Sequence, residues 1–181
     1  MKKILSALLL ATIVSASALA QEYKGSLLYD VKGDVKEMKV KSKNPLARYA
    51  KKLKFADNGQ RINDYMTYND AGLPIGYGMN LGGKVRTLKV EYDASERPSV
   101  ITMSVDGAIM RIENVYEGDR LASRRLSSPV GTRETVWTYS DEKRDAHGNW
   151  TERRVSETVT DRDPSKSGTE TYTETREITY R

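Results

Sequence analysis

Short stretches in which apolar and polar residues alternate run through the middle of the chain. In residues 85–92 the alternate positions include Leu88 and Val90, and residues 99–105 and 109–116 show the same alternation. A period of two is the pattern of a half-buried β-strand. These stretches therefore predict antiparallel strands, each with one face toward a core.

Turn-forming residues separate the alternating stretches at short intervals. They occupy residues 57–59, 70–72, 82–83, 93–97, 106–107, 117–119 and 145–149. Glycine and asparagine supply the positive φ that tight hairpin turns require. The two patterns together predict an all-β fold, an antiparallel β-meander of repeated hairpins with about ten strands, forming an extended or loosely rolled sheet. The one helical candidate is a short helix near residues 45–53, with Asn44 as its N-cap and Pro45 at its first position.

A tyrosine followed by a turn recurs every 24 residues. The copies begin at Tyr68, Tyr92 and Tyr116, and the third copy has a shortened turn. A fixed period of this size is typical of stacked supersecondary units. We expect the three tyrosines to pack at equivalent places in successive hairpins.

The C-terminal third is strand-like but polar. In residues 169–181 threonine fills most of one face, and Tyr172, Glu174 and Arg176 share the other. Since neither face is strongly apolar, this pattern predicts a sheet wetted on both sides. We expect Thr169–Arg181 and the N-terminal strand to be sheet edges. Unpaired edges invite partner strands, which leaves open whether copies of the chain pair into oligomers.

The N-terminus has the features of a secretory signal. Lys2 and Lys3 precede an apolar stretch at residues 4–14, and Ala18-Leu19-Ala20 is a small-x-small cleavage site. The sequence predicts a signal peptide at residues 1–20, cleavage between Ala20 and Gln21, and a single β domain at residues 21–181. We expect no transmembrane segment after cleavage, and an extracytoplasmic location in the periplasm, at the cell surface or secreted.

Charge and cysteine content narrow the function. The chain has no cysteine, so an exported domain of this sequence folds without disulfides. The formal net charge is +5, of which the signal contributes Lys2 and Lys3. Because basic and acidic residues are interspersed, we expect no nucleic-acid partner.

The turn motifs resemble YD repeats, also called RHS-like repeats, of the short exported type found in Bacteroidetes. The resemblance rests on Tyr68-Asn-Asp-Ala-Gly72, Tyr92-Asp93 and residues 145–153, and spans roughly residues 31–155. It implies a β-sheet scaffold without a known activity. Glu96 departs from the pattern, since it stands where glycine is usual.

Residues with catalytic or metal-binding chemistry are few. His147 is the only histidine and lies inside a turn motif, which favours a structural role. One histidine and no cysteine argue against a transition-metal site, and no calcium-loop spacing occurs. We therefore expect no enzymatic activity, no metal and no cofactor. The alternatives are an extracytoplasmic hydrolase with a carboxylate pair and a purely structural envelope protein.

Three aromatic residues are the candidate binding site. Trp137, Tyr139 and Trp150 lie in the polar C-terminal segment, where the sequence pattern predicts no core that requires them. We expect them to form a flat aromatic platform for a glycan or an envelope protein. The leading functional hypothesis is a non-enzymatic binding or scaffold module.

Overall fold

The computed structural model describes residues 23–44, 51–62 and 65–181, with only the backbone of Leu81. Its eleven strands form one open antiparallel sheet. They are β1 Val35–Lys41, β2 Lys52–Lys54, β3 Thr67–Tyr68, β4 Pro74–Leu81, β5 Lys84–Tyr92, β6 Pro98–Val105, β7 Ala108–Glu117, β8 Arg120–Ser127, β9 Glu134–Arg144, β10 Trp150–Thr160 and β11 Gly168–Tyr180. Two 3₁₀ turns, Gly25–Tyr29 and Pro164–Lys166, complete the regular structure of the described residues. The predicted all-β fold class is confirmed.

The sheet is a meander with one long-range connection. From β3 to β11 each strand pairs with the next strand along the chain, whereas β1 pairs with β11 and carries β2 on its other side. Met38 lies opposite Ile178, and Val40 lies opposite Arg176. The first and last long strands are therefore neighbours.

The predicted sheet edges are wrong. Because β11 pairs with both β10 and β1, it lies inside the sheet, and the outermost described strands are the short β2 and β3. The predicted helix near residues 45–53 falls mainly on residues 45–50, which lie outside the described residues. Its end is a strand, since Lys52 and Leu53 belong to β2.

Four turns share one hydrogen-bonding pattern. The N–H groups of Ala56, Asn69, Asp93 and Asp145 each donate to the carbonyl four residues later. Where the first residue of the turn is Asn or Asp, its side chain also accepts from that later residue's N–H. The fourth residue of each turn has a left-handed φ of 80°, 74°, 58° and 78°, at Gly59, Gly72, Glu96 and Gly148 respectively. Glu96 is thus the one non-glycine residue at this position.

The 24-residue period has a physical basis in the fold. The Tyr92 hydroxyl donates to the Pro74 carbonyl at 2.7 Å, and the Tyr116 hydroxyl donates to the Pro98 carbonyl at 3.1 Å. Each tyrosine thus binds the first residue of the strand that follows the preceding turn of the repeat. These equivalent contacts link two successive copies of the repeat in the same way.

The N-terminal segment packs on one face of the sheet. Leu28 contacts the cluster of Met66, Val90, Ile101 and Ile112, and the next residue, Tyr29, contacts the cluster around Met38 and Phe55. Leu28 and Tyr29 are adjacent in the chain, yet one contacts a core that includes β5, β6 and β7 and the other contacts a core at β1 and β2. The sheet curls far enough for both cores to meet this one segment.

The C-terminal strands are not wetted on both faces. Tyr172, Glu174 and Arg176 on β11 are buried, and Tyr172 packs with Leu121, Trp137, Tyr139 and Val155 in a third core cluster. The prediction failed because alternation identifies which residues share a face but not what covers that face.

The predicted signal peptide and cleavage site lie outside the described residues. Within the part of the chain that the structure describes, no helix is long and apolar enough to cross a membrane.

Candidate functional site

A cavity of about 470 Å³ lies inside the curl of the sheet. Nine strands contribute to its lining, from Met38 on β1 through Ile112 on β7 to Arg176 on β11. The segment Leu28–Asp30 also lines it. Alternate residues of each strand face the same side of a sheet, so strands of a curled sheet direct these residues into one shared space. The volume is within the range of about 300–1,000 Å³ that is usual for small-molecule pockets.

The wall of the cavity is mainly apolar and rich in methionine. Five methionines line it, namely Met38, Met66, Met79, Met103 and Met110. The aliphatic residues of the wall are Leu28, Val40, Leu88, Ile101, Val105, Ile112 and Leu121. The chain has six methionines, and the remaining one is Met1. Methionine side chains are flexible and polarisable, so they adapt to apolar partners of different shapes.

One part of the cavity wall is buried and charged. Arg153 on β10 and Glu174 on β11 are opposite each other in the strand register, and they are 6% and 2% exposed. Arg153 donates to Glu174 Oε2 from Nε at 2.9 Å and from Nη2 at 2.8 Å. Ser42 donates to the other carboxylate oxygen at 2.5 Å. Both oxygens of Glu174 are therefore engaged.

Arg176 is the second buried arginine of this region and is 4% exposed. Its Nε donates to the Trp150 carbonyl at 2.5 Å, and its Nη1 donates to the Asp30 carbonyl at 2.9 Å. The guanidinium carbons of Arg153 and Arg176 both lie 3.9 Å from the centre of a Trp150 ring. Cation–π contacts with an aromatic face help to stabilise charges that burial removes from water.

Several buried donors in this region have no hydrogen-bond partner among the described residues. They are Arg153 Nη1, Arg176 Nη2, the Tyr139 hydroxyl and the Trp150 indole nitrogen, and all four residues line the cavity. Buried polar groups in proteins are nearly always paired, and an unpaired one destabilises the fold by about 1–3 kcal/mol. An excess of unpaired donors is the arrangement expected of a site for a hydrogen-bond acceptor.

Burial also shifts the pKa values here. Burial lowers the pKa of Arg176 to about 9, against the attraction of Asp30, so the side chain remains protonated at neutral pH. Burial raises the pKa of Asp30, although Arg176, Arg153 and Arg124 oppose that rise. It also raises the pKa of Tyr139, whose hydroxyl therefore keeps its proton. Near pH 7 the region presents two guanidinium groups and one phenol as donors.

The predicted platform residues are buried rather than exposed. Trp137, Tyr139 and Trp150 are 1%, 2% and 5% exposed, so they do not form a flat surface platform. The sequence pattern predicted no core in this polar segment. In the structure, Trp137 and Tyr139 pack in a buried cluster with Leu121 and Val155. Tyr139 and Trp150 line the cavity. A ligand-binding role for these residues remains a prediction.

Sequence reasoning did not identify Asp30, Arg153, Glu174 or Arg176 as site residues. A signal did exist for three of them, because Glu174 and Arg176 share a face of one predicted strand and Arg153 lies on the neighbouring strand. Opposite charges on facing strands indicate a cross-strand pair. Asp30 had no such signal, since it lies in a 3₁₀ C-cap that packs across the sheet.

His147 lies in the turn between β9 and β10, as predicted. Its N–H donates to Asp145 Oδ1 at 2.9 Å, and its ring stacks on Tyr180 with centres 3.9 Å apart. Among the described residues, no group of three or more potential metal ligands occurs. The two carboxylates that line the cavity, Asp30 and Glu174, are not equivalent, because Arg153 and Ser42 engage Glu174. This leaves Glu174 poorly suited to act as a nucleophile or base.

Comparisons with protein-family models, curated proteins and solved structures find no match to this chain. The resemblance of the turn motifs to YD repeats therefore stays a prediction.

Proposed function

We propose that this chain is a non-enzymatic binding protein that holds a small, largely apolar molecule inside the curled sheet. The observation that supports this proposal best is the distribution of methionine. Every methionine except Met1 lines the cavity. A cavity is costly to a protein core, since each lost contact weakens packing. A cavity with adaptable apolar walls is better explained by an occupant than by stability.

The buried aromatic residues favour this ligand class over a glycan. Sugar-binding platforms need exposed aromatic faces, whereas Tyr139 and Trp150 are buried in the wall of the cavity. Several apolar side chains that are only half-buried, among them Met103 and Leu88, also line the cavity. An apolar ligand would complete their removal from water, at a gain of about 25 cal/mol for each Å² buried.

Export of the protein is part of the proposal. The basic, apolar and small-residue regions at residues 1–20 favour a signal peptide and an extracytoplasmic location. Apolar molecules there must cross an aqueous space, and a protein with an apolar cavity shields them from water. An envelope protein that supplies or receives the ligand would be the partner.

A cavity-filling substitution tests the proposal. We expect the purified protein to bind the neutral, apolar dye N-phenyl-1-naphthylamine with a rise in fluorescence. Met103→Trp places a larger side chain in the cavity and should abolish that rise. Thr102→Trp is the matched control, because Thr102 is the adjacent residue of β6 on the opposite face and does not line the cavity. Dye binding that survives Met103→Trp, or no dye binding by the unmodified protein, would refute the proposal.

A further inference from the structure

We infer that the ligand is an amphiphile whose head group is an oxyanion, and that Tyr139, Arg153 and Arg176 receive this head group at the buried, charged part of the cavity. The inference rests on the proposed function and adds the chemistry of the ligand. The head group is a carboxylate or a phosphate, which are both oxyanions, and it is joined to an apolar chain.

The unpaired donors supply the first argument. Six buried side-chain atoms lack a partner among the described residues, and the four that belong to residues lining the cavity are all donors or hydroxyls. The missing group must therefore bring acceptors. A carboxylate or phosphate offers several lone pairs close together, and arginine guanidinium groups match that geometry.

Charge supplies the second argument. Five arginines line the cavity, namely Arg61, Arg86, Arg124, Arg153 and Arg176, against the two acidic residues Asp30 and Glu174. Glu174 is matched by Arg153, which leaves Asp30 as the one other carboxylate against the remaining four arginines of the described lining. The described lining thus carries an excess of positive charge in a largely apolar space. An anionic head group would reduce this excess, whereas a cationic head group would increase it.

The arrangement of the lining gives the ligand a direction. Arg153 and Arg176 are almost fully buried, whereas Tyr65 and Arg86 in the same lining are exposed, and Tyr65 is 74% exposed. The methionine-rich wall accounts for most of the remaining lining. The head group would therefore lie at the inner end, with the apolar chain along the wall toward the exposed side.

Binding requires a small local change. The unpaired nitrogens of Arg153 and Arg176 have almost no solvent-accessible surface, and the faces of Tyr139 and Trp150 lie against the guanidinium groups. An oxyanion reaches these nitrogens when the arginine side chain turns about the Cγ–Cδ and Cδ–Nε bonds, which reorients the planar guanidinium group as a whole. The aromatic rings can support the charge in either position.

Displacement of the bound dye by four twelve-carbon probes tests the inference. The probes are dodecanoate, dodecyl phosphate, dodecanol and dodecylamine, which differ in their head groups and, for dodecanoate, in an apolar chain that is one carbon shorter. We expect the better of the two oxyanions to bind at least tenfold more tightly than dodecanol, and dodecylamine to bind more weakly than dodecanol. A hydrogen bond to a charged group accounts for a difference of this size. Comparison of dodecanoate with dodecyl phosphate separates the two sources of the head group.

Tyr139→Phe is the most selective variant, because it removes a hydroxyl that has no partner among the described residues. We expect it to fold normally and to lose about fivefold or more in affinity for the preferred oxyanion, with no change for dodecanol. Tyr77→Phe is the matched control, since Tyr77 lines the cavity on β4 in the apolar wall. Arg176→Met should abolish the preference for oxyanions altogether.

The outcomes separate the inference from the proposed function. If dodecanol binds as tightly as both oxyanions, or if Tyr139→Phe and Tyr77→Phe affect oxyanion binding equally, the head-group site is wrong while the apolar cavity stands. If the dye itself does not bind to the unmodified protein, the proposed function fails as well.

Discussion

Replacement of Glu96 tests the physical account of the repeated turns. Glu96 has a φ of 58°, whereas glycine holds the equivalent position in the other three turns. Its carboxylate pairs with Lys24 at 2.5 Å, and the two side chains are 45% and 38% exposed. Glu96→Gly removes both the backbone strain and the ion pair. Glu96→Ala removes the ion pair alone.

The magnitudes of these effects decide the order of stability. A non-glycine residue in the left-handed region costs about 1–2 kcal/mol, and the greater freedom of glycine in the unfolded chain offsets roughly 0.4–1 kcal/mol of that gain. An ion pair this exposed contributes about 0–1 kcal/mol. We therefore expect Glu96→Gly to be about 1 kcal/mol more stable than Glu96→Ala, and equal to or slightly more stable than the unmodified protein.

Urea unfolding followed by tryptophan fluorescence measures these differences, because Trp137 and Trp150 are buried. In thermal unfolding the two Glu96 variants should differ by about 2–4 °C. Gly148→Ala is the complementary control, since its Cβ meets nothing within 4 Å and only the φ of 78° opposes it. It should lower stability by about 1 kcal/mol. A Glu96→Gly variant that is less stable than Glu96→Ala would show that the left-handed backbone is not strained.

Two further predictions concern the repeat and the cavity. Tyr92→Phe leaves the Pro74 carbonyl without the hydroxyl that it accepts from, and should lower the free energy of unfolding by about 1–2 kcal/mol in urea titration. Asp30→Asn should stabilise the protein at pH 7, because burial raises the pKa of Asp30 and the ionised carboxylate therefore destabilises the folded state. This destabilisation is absent below the unfolded pKa of about 3.9 and develops as the pH rises through the folded pKa. The advantage of Asp30→Asn should accordingly vanish as the pH falls toward 4.

Each of these predictions has a control. Tyr65→Phe removes a hydroxyl from an exposed side chain and should leave stability within about 0.5 kcal/mol of the unmodified protein. If Tyr92→Phe is as stable as Tyr65→Phe, the hydrogen bond from Tyr92 to the Pro74 carbonyl does not stabilise the repeat. For Asp30, unfolding is compared with that of the unmodified protein from pH 4 to pH 7. A constant difference over that range would mean that the carboxylate is not the cause.

The fold class and the turns could be predicted because both are local properties. Gly82-Gly83 and Asp106-Gly107 specify hairpins through backbone conformation, which neighbouring residues determine. The alternation around Ile101 specifies a face in the same way. The pairing of β1 with β11 is different, since no local pattern identifies which distant strand will be the neighbour. The mistaken edges follow from this limit.

The candidate site could be predicted only in part, for a related reason. Tyr139 and Trp150 stand out in the sequence because large aromatic residues in a polar segment are unusual, and both line the cavity. Arg153 and Glu174 were missed because each looked like a solvated residue on its own strand. Their burial depends on the cross-strand pair and on the curl of the sheet, which places Asp30 in the lining of the same cavity. Curvature arises from the whole set of strands and leaves little trace in any one of them.

The pairing of β1 with β11 determines when the cavity can exist. Arg181 donates to the carbonyl of Val35, 146 residues earlier, so this contact forms only after the last strand has been made. The hairpins from β4 to β10 involve near neighbours and can form while a chain is still emerging, since short loops close at low entropic cost. Met38 and Val40 at one end of the chain and Arg176 at the other complete the lining. A chain in which β1 and β11 have not yet paired therefore exposes an apolar, methionine-rich face and an unpaired β1, and both features favour aggregation and proteolysis.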